Sequence, residues 1–518
     1  MAPTPKIVVV GAGITGLAAA LRLAAAGGVD VAVCDASGWA GGVIRTERGG
    51  ERGEYLIEAG PDSFLTEKPE ALRLCGQLGL AGTLIGIREG AHRTYVVRGG
   101  RLVQMPDGFR LIAPTRLGPW LRSPLFSWPA KARMALDWVL PPRQSTADES
   151  VASFVTRRLG REAFDYVAQP LIGTIYTADA EALSLAATMP RFADLERQYG
   201  SVIRGFLRVH SAAGRGRGPR AGSPSARGAS GDGARPADRP APDSPATMSS
   251  QPGARLGLFA SLAAGMQALP DAAVARLPDG WLRLRTPVAA VTRRVDGSGY
   301  RVVLEDGGAL DAGGVIVAAG PAATARLIAP LDGALASRVG AIACASSASV
   351  TLAYDRAALP RPIGGFGFVV PRVERRPILA ASFSNLKFED RAPEDRLLVR
   401  VFLGGATDPE ILGMDDEALA RTVRGEMGAL LGISAAPLLV RVMRHRDIMP
   451  QYAVGHLDRV ADIESRAGAH PGLALAGAAY RGVGIPDCIR SGEAAADRIL
   501  RGLGHCLADA QQRSARGG

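Results

Sequence analysis

Lys6-Ile7-Val8-Val9-Val10-Gly11-Ala12-Gly13-Ile14-Thr15-Gly16, continued by Leu17 to Ala26 and then by Val31 to Asp35, is the stretch on which the fold turns. Lys6 to Val10 reads as a short buried strand, Gly11 to Gly16 as a tight turn, and Leu17 to Ala26 as an Ala/Leu helix. The second apolar run, Val31 to Cys34, ends in Asp35. Strand, G-x-G-x-x-G, helix, strand and acid in this order make a dinucleotide-binding unit in which each part has its own task. Gly11 permits the turn, Gly13 lets a pyrophosphate approach the amides at the helix N-terminus, and Gly16 lets helix and strand pack closely. Asp35 can hold ribose hydroxyls. An acid at this place favours FAD or NAD over NADP, whose extra phosphate it would repel.

A second glycine pair follows in Gly41-Gly42-Val43-Ile44-Arg45-Thr46, and Glu58-Ala59-Gly60-Pro61-Asp62-Ser63-Phe64 comes after it. Both segments resemble the flavin-containing amine oxidase superfamily. The resemblance implies that the glycine loop covers the pyrophosphate of FAD and that Arg45 adds positive charge there.

The 518 residues suffice for two or three domains, and an apolar content of 47% is ordinary for a protein with a sizeable core. Cysteines 34, 75, 344, 488 and 506 show no C-x-x-C and no metal spacing, which fits a reducing, cytoplasmic setting and no metal site. Met1 to Pro5 carries no apolar signal region and no run of eighteen apolar residues occurs, so the expectation is a chain that does not span a membrane. A formal charge of +11 and a pI near 9.8 attract anions, but the positive residues are almost all Arg in an Ala- and Gly-rich chain. No RNA-reading motif or metal finger accompanies them, which argues against nucleic acid.

Further along, Pro69 to Leu80 has helical spacing, and Tyr95 to Val97 with Leu102 to Met105 form a hairpin around Arg98-Gly99-Gly100-Arg101, entered by Arg93. Between Leu111 and Leu140, Trp120, Trp128, Trp138, Leu121, Leu125 and Phe126 are interleaved with Arg116, Arg122, Lys131 and Arg133. That texture suits peripheral contact with a membrane interface; an amphipathic helix pair packed on the core is the alternative. Ser211 to Gly253 has no Leu, Ile, Val, Phe, Tyr or Trp and cannot bury enough surface to order itself, so it reads as a disordered insertion. Strands are expected at Pro287 to Val291, Tyr300 to Leu304 and Val315 to Ala318, and a closing helix at about Asp487 to Leu500.

Gly477-Ala478-Ala479-Tyr480-Arg481-Gly482-Val483-Gly484-Ile485-Pro486-Asp487-Cys488-Ile489-Arg490-Ser491-Gly492 is the most specific segment. It resembles the C-terminal signature of the protoporphyrinogen oxidase family. Ser261 to Pro270, Gly364 to Val369 and the Pro450 to His456 segment are similar to the same family, so the resemblance covers nearly the whole chain outside the insertion. It departs at Thr174-Ile175-Tyr176-Thr177-Ala178-Asp179-Ala180, where the family has glycines.

The resemblance implies an α/β fold: a Rossmann-type FAD-binding domain (1–90, 254–332 and 441–504), an α+β substrate domain (333–440) and a helical membrane-contact and substrate region (91–210), with the insertion at 211–253. It implies that Gly11, Gly13, Gly16, Asp35, Gly42 and Arg45 bind the adenosine and pyrophosphate of FAD, Val288 the adenine, and Gly477, Val483 and Ile485 the flavin. Arg93 would pair with a substrate propionate, and Phe366, Val369 and Phe402 would sandwich the macrocycle. The implied activity is oxidation of protoporphyrinogen IX by molecular oxygen in haem synthesis. Coproporphyrinogen III oxidation, another amine oxidase or desaturase reaction, and a non-catalytic chaperone on the same fold are the alternatives, and a homodimer is left open. No Ser/His/Asp set or carboxylate pair is nominated as catalytic, and Tyr452 and His456 read as structural.

Deleting residues 211–253 should leave folding and turnover nearly unchanged, with the melting temperature within a few degrees of the parent. Loss of most of the flavin from the deletion protein would show that the insertion is structural.

Overall fold

The first apolar run folds into the centre of a sheet, as its pattern requires for a strand buried on both faces. The computed structural model describes residues 4–91, 93–110, 112–114, 116–215 and 256–516. Among these, Lys6–Val10 lies between Asp30–Cys34 and Gly314–Val317, all parallel, with Leu282–Arg283 and Leu473–Leu475 at the two edges. The helix Ile14–Ala26 and the C-terminal helix, Ile485–Arg516, cross one face. A three-stranded antiparallel sheet, Val288–Arg293, Tyr300–Leu304 and Ala309–Ala312, covers the other with the helices Pro321–Ile328 and Gly333–Gly340.

Two contacts on the first face are backbone against backbone. A Cβ on Gly16 would sit 1.8 Å from the Gly11 carbonyl oxygen, and one on Gly492 would sit 2.1 Å from that of Thr15. At Gly492 the two helices therefore meet backbone to backbone, and the C-terminal signature is held against the N-terminal glycine loop.

The second body is a seven-stranded sheet in the order Leu439–Pro450, Cys344–Asp355, Arg396–Gly404, Ala380–Phe383, Gly367–Val369, Thr94–Arg98, Arg101–Gln104. The hairpin at 94–104, grouped by sequence order with the helical region, is thus the far edge of this sheet. One face packs on the helix Asp416–Leu431.

A helical layer covers the other face, with Phe154, Phe164, Ile172, Leu195 and Ile203 in its core. Inside it Arg158 is fully buried, donating to the carboxylate of Asp137 at 2.5 Å. The Asp137 carboxylate also accepts from Ser201 Oγ at 2.6 Å and from the Ile203 amide at 2.9 Å. A buried pair satisfied on every side fixes how the helices dock.

Three expectations change here. Of the insertion read at 211–253, residues 211–215 are the last turn of the helix Val202–Arg215; residues 216–253 lie outside the described residues. The closing helix starts at Ile485, two residues early, since Pro486 is tolerated in a first turn. In the 111–140 stretch Trp120, Leu125, Phe126 and Lys131 are buried, while Leu117, Leu121, Trp128, Leu136, Trp138 and Val139 are exposed. Lys131 is not free to meet an anionic surface: it donates to the Leu121 carbonyl and lies over the Trp128 ring. In the 174–180 stretch, where the family has glycines, the left-handed residue is Thr177, which ends the helix Gln169–Tyr176 at a φ of +45, a strained conformation for a β-branched side chain.

Gly492→Ala should push the two long helices apart and destabilise the protein by about 1–3 kcal/mol, the usual cost of overpacking. Thermal denaturation checks it: a variant melting at or above the parent temperature would mean that the contact has slack.

Candidate functional site

The glycine loop and the second glycine pair meet. The Gly41 amide donates to the Ala12 carbonyl at 2.8 Å, Gly13 and Gly41 form a parallel bridge, and a Cβ on Gly42 would come within 3.2 Å of Gly13 Cα. Gly13, by contrast, faces open space, and it precedes a helix whose first turn has neither a side-chain cap nor an acid. Free amides, a positive helix end and no side chain in the way are what a pyrophosphate requires. The Asp35 carboxylate stands at the same loop, accepting from the amides of Ala12 (2.6 Å) and Ser37 (2.8 Å). The Thr286 amide bonds the Asp35 carbonyl at 2.8 Å, which brings Val288, two residues on, to the Asp35 end of the loop. Arg45 departs from expectation: its guanidinium lies 4.9 Å from the centre of the Trp39 ring and pairs with Glu47 at 3.0 Å.

At the other end, Gly477 has a φ of +127 and its missing side chain leaves open space, while its amide donates to Ser491 Oγ at 2.9 Å. The turn after it is held from the 450–456 segment. Tyr452 Oη donates to the Ala478 carbonyl (2.5 Å) and accepts from the Gly482 amide (2.8 Å). His456 Nε2 bonds the Tyr480 carbonyl at 2.9 Å, and the His456 ring stacks on the Tyr452 ring with centres 3.9 Å apart. Burial pushes the His456 pKa down, and burial pushes the Tyr452 hydroxyl well above its usual value, so both are neutral clamps rather than an acid and a base. Ile485 then packs with Ile14, Ile44 and Phe64, tying the helix start to both glycine loops.

Between these ends lies one face of the seven-stranded sheet. Val96, Val369, Ala380, Phe402, Ser349 and Met443 are partners in register across six strands and form a single row. Val369 and Phe402 pack in one cluster with Val483, so the expected substrate wall and the expected flavin segment converge. Phe366 stands at the end of its strand, its amide bonded to the Arg93 carbonyl at 3.1 Å. Arg93 is exposed and has no acidic partner among the described residues.

Sequence reasoning missed a set of charged groups one row away. Asp62 accepts both carboxylate bonds from Lys387 Nζ at 2.9 Å. Burial alone would raise the Asp62 pKa, but Lys387, Ser63 and Arg400 outweigh it and hold it at about 2. Arg400 donates to the carbonyls of Gly60 (2.6 Å) and Ala59 (2.9 Å), and His445 Nε2 bonds the Ala59 carbonyl at 2.8 Å. The available signal was a lone charge inside an apolar strand run, Arg400 between Val399 and Val401.

The flavin-containing amine oxidoreductase profile matches residues 14–500. The chain is 34% identical to coproporphyrinogen III oxidase of Propionibacterium freudenreichii, over 95% of this chain and 90% of that one. It is 31% identical to protoporphyrinogen oxidase of Macaca fascicularis, over 95% and 98%. A solved structure from Exiguobacterium superposes with a TM-score of 0.79 at 27% identity, covering 96% of this chain and 98% of that one. The chain belongs to the flavin-containing amine oxidoreductase family and is an FAD-dependent oxidoreductase. The glycine cradle, with its open space at Gly13 and Gly477, fits that cofactor.

FAD should be released free on denaturation. Cys488, the thiol beside the flavin segment, is buried and its pKa is pushed up to about 11, so it is no nucleophile at neutral pH. Flavin that stays on the acid-precipitated polypeptide would overturn this.

Proposed function

We propose that this family member oxidises a porphyrinogen to the porphyrin, with molecular oxygen as the final acceptor. The observation that carries the reading is the apolar part of the row, Val96, Val369, Ala380 and Phe402, with Arg93, exposed and without an acidic partner among the described residues, bonded through its carbonyl to Phe366 nearby. A flat apolar ring with carboxylates at its edge needs such a surface: rings against rings, and a cation where the acids emerge.

Bound FAD would supply hydride acceptance, and three two-electron rounds remove the six hydrogens that separate porphyrinogen from porphyrin, each reducing one oxygen to peroxide. The chain's own part is positional. Gly11, Gly13, Gly16, Asp35, Gly42 and Val288 would hold the nucleotide, and Gly477, Val483 and Ile485 the flavin edge, where the C-terminal helix begins and its positive end favours negative charge. Phe366, Val369 and Phe402 would align the macrocycle and exclude water.

Coproporphyrinogen III is the substrate we favour, because the bacterial relative with that activity in its name has the higher identity, 34% against 31% for the macaque protoporphyrinogen oxidase. Protoporphyrinogen IX, implied by the C-terminal signature, is the second reading. The exposed set Leu117, Leu121, Trp128, Leu136, Trp138 and Val139 supports a peripheral membrane contact; no helix among the described residues is long and apolar enough to cross a membrane.

Steady-state kinetics on both porphyrinogens, followed by oxygen uptake, tests this. Coproporphyrinogen III should have the higher kcat/KM, and a preference for protoporphyrinogen IX selects the second reading. Inactivity on both rejects the proposal. Arg93→Ala should raise KM with kcat little changed, since a propionate is remote from the reacting carbon. As Arg93 is exposed, the expected rise is about three- to fivefold, in line with roughly 1 kcal/mol for an exposed ion pair.

A further inference from the structure

Arg400 is the least comfortable charge in the molecule. Its residue is 6% exposed, its Nε has no hydrogen-bond partner, and it forms no ion pair among the described residues. What surrounds it is neutral or already engaged. Its two Nη groups are on the Ala59 and Gly60 carbonyls, its Cζ lies 4.8 Å from the centre of the Phe402 ring, and His445 faces the same Ala59 carbonyl. Burial pushes the His445 pKa down, toward the neutral imidazole. The closest acid, Asp62, is held by Lys387 at 2.9 Å.

A second buried guanidinium, Arg391, also lacks an ion pair and donates to Ser261 Oγ and to the carbonyls of Leu262 and Ala263. Two further acids lie near these groups: Asp390 beside Arg391, and Glu58, which is bonded by Thr46 Oγ1 and the Met266 amide and whose pKa burial pushes up. With Asp62 engaged by Lys387 and Asp390 on the Arg391 side, Arg400 is left with no carboxylate partner of its own among the described residues. Arginine stays protonated in such a place, and burying an unmatched charge costs several kcal/mol unless an anion answers it.

The location says which anion. Gly60 is pressed on the second glycine loop, where a Cβ would meet the Val43 carbonyl oxygen at 1.7 Å, and the Ala59 amide donates to the Arg45 carbonyl at 2.8 Å. Phe402, over which Arg400 is stacked, packs in the cluster that contains Val483. Arg400 therefore links the segment pressed on the second glycine loop, through Ala59 and Gly60, to the cluster that contains Phe402 and Val483. We propose that Arg400 is a positioning and electrostatic residue that stabilises the extra negative charge of the reduced flavin and so raises the cofactor's reduction potential. Taking a hydride, two electrons and one proton, from substrate carbon turns a neutral ring system into one with a negative charge, while the substrate is discharged by losing an N–H proton. A fixed guanidinium in a water-poor site stabilises that product over the oxidised ring.

The proposal rests on FAD as cofactor and not on which porphyrinogen is used, so it is tested without substrate. The midpoint potential of the bound flavin is measured by spectroscopic titration in the FAD-loaded protein, in Arg400→Gln and in Arg400→Lys. In the unaltered protein the potential should lie above that of free FAD in the same buffer. Arg400→Gln should shift the oxidised-to-reduced equilibrium at least tenfold toward the oxidised form, about 30 mV for a two-electron couple. Arg400→Lys should keep most of the potential. A potential at or below that of free FAD in the unaltered protein overturns the proposal even if no variant folds. So does an FAD-loaded Arg400→Gln protein with unchanged potential; if its KM for porphyrinogen rises as well, Arg400 answers a substrate carboxylate instead.

Discussion

The fold depends on two places where one backbone lies directly on another. Gly16 lets the first helix settle on the Gly11 carbonyl, and Gly492 lets the C-terminal helix settle on the first helix. Nothing larger than hydrogen fits either contact. Because the C-terminal helix is thereby placed, so is its beginning at Ile485, and with it the Gly477 to Gly484 turn opposite the glycine loops. The clamps from Tyr452 and His456 then fix the turn that these contacts have brought near. Geometry set by excluded volume is stiff, which is the property a hydride-transfer site needs when small misplacements are costly.

Much of this was legible in the sequence because glycines, acids and apolar runs at fixed spacing have few alternative explanations. The N-terminal unit was read from such spacing, the second glycine pair and the 477–492 segment from their resemblance to a known family, and the chain's membership of the flavin-containing amine oxidoreductase family accords with both. The row Val96, Val369, Ala380, Phe402 was only half visible: Phe402 and Val369 could be named by resemblance, but strand register is not written locally, and the hairpin that supplies Val96 was separated from its partners by more than 250 residues.

Arg400 was visible only as a lone charge in an apolar strand run, and Lys387 and Arg391 had no signal of their own. A charged residue in an apolar strand ordinarily marks a solvent-facing position, and only the tertiary structure shows that the carbonyls they reach belong to segments more than a hundred residues away. The same limit applies to Arg158 and Asp137, whose pairing inside the helical layer has no spacing signature. The tryptophans of 111–140 illustrate the converse. Their composition suggested a membrane interface, with an amphipathic pair packed on the core as the alternative, but composition does not say which ring turns inward, and Trp120 did while Trp128 did not.

The strand order of the five-stranded sheet has a consequence for how the molecule comes into being. Its strands are drawn from residues near 6, 30, 282, 314 and 473, so the last edge pairs with a partner about 160 residues earlier and completes a unit begun at the N-terminus. Contacts of such long range are made late and slowly, because loop closure must come before any of them is rewarded. A ribosome would release most of this chain before its nucleotide cradle has a second wall. The apolar strands Lys6–Val10 and Asp30–Cys34 must meanwhile remain unpaired at an edge, the condition under which sheets find wrong partners. The cradle is therefore incomplete until the strand Leu473–Leu475 and the helix that follows it have been made.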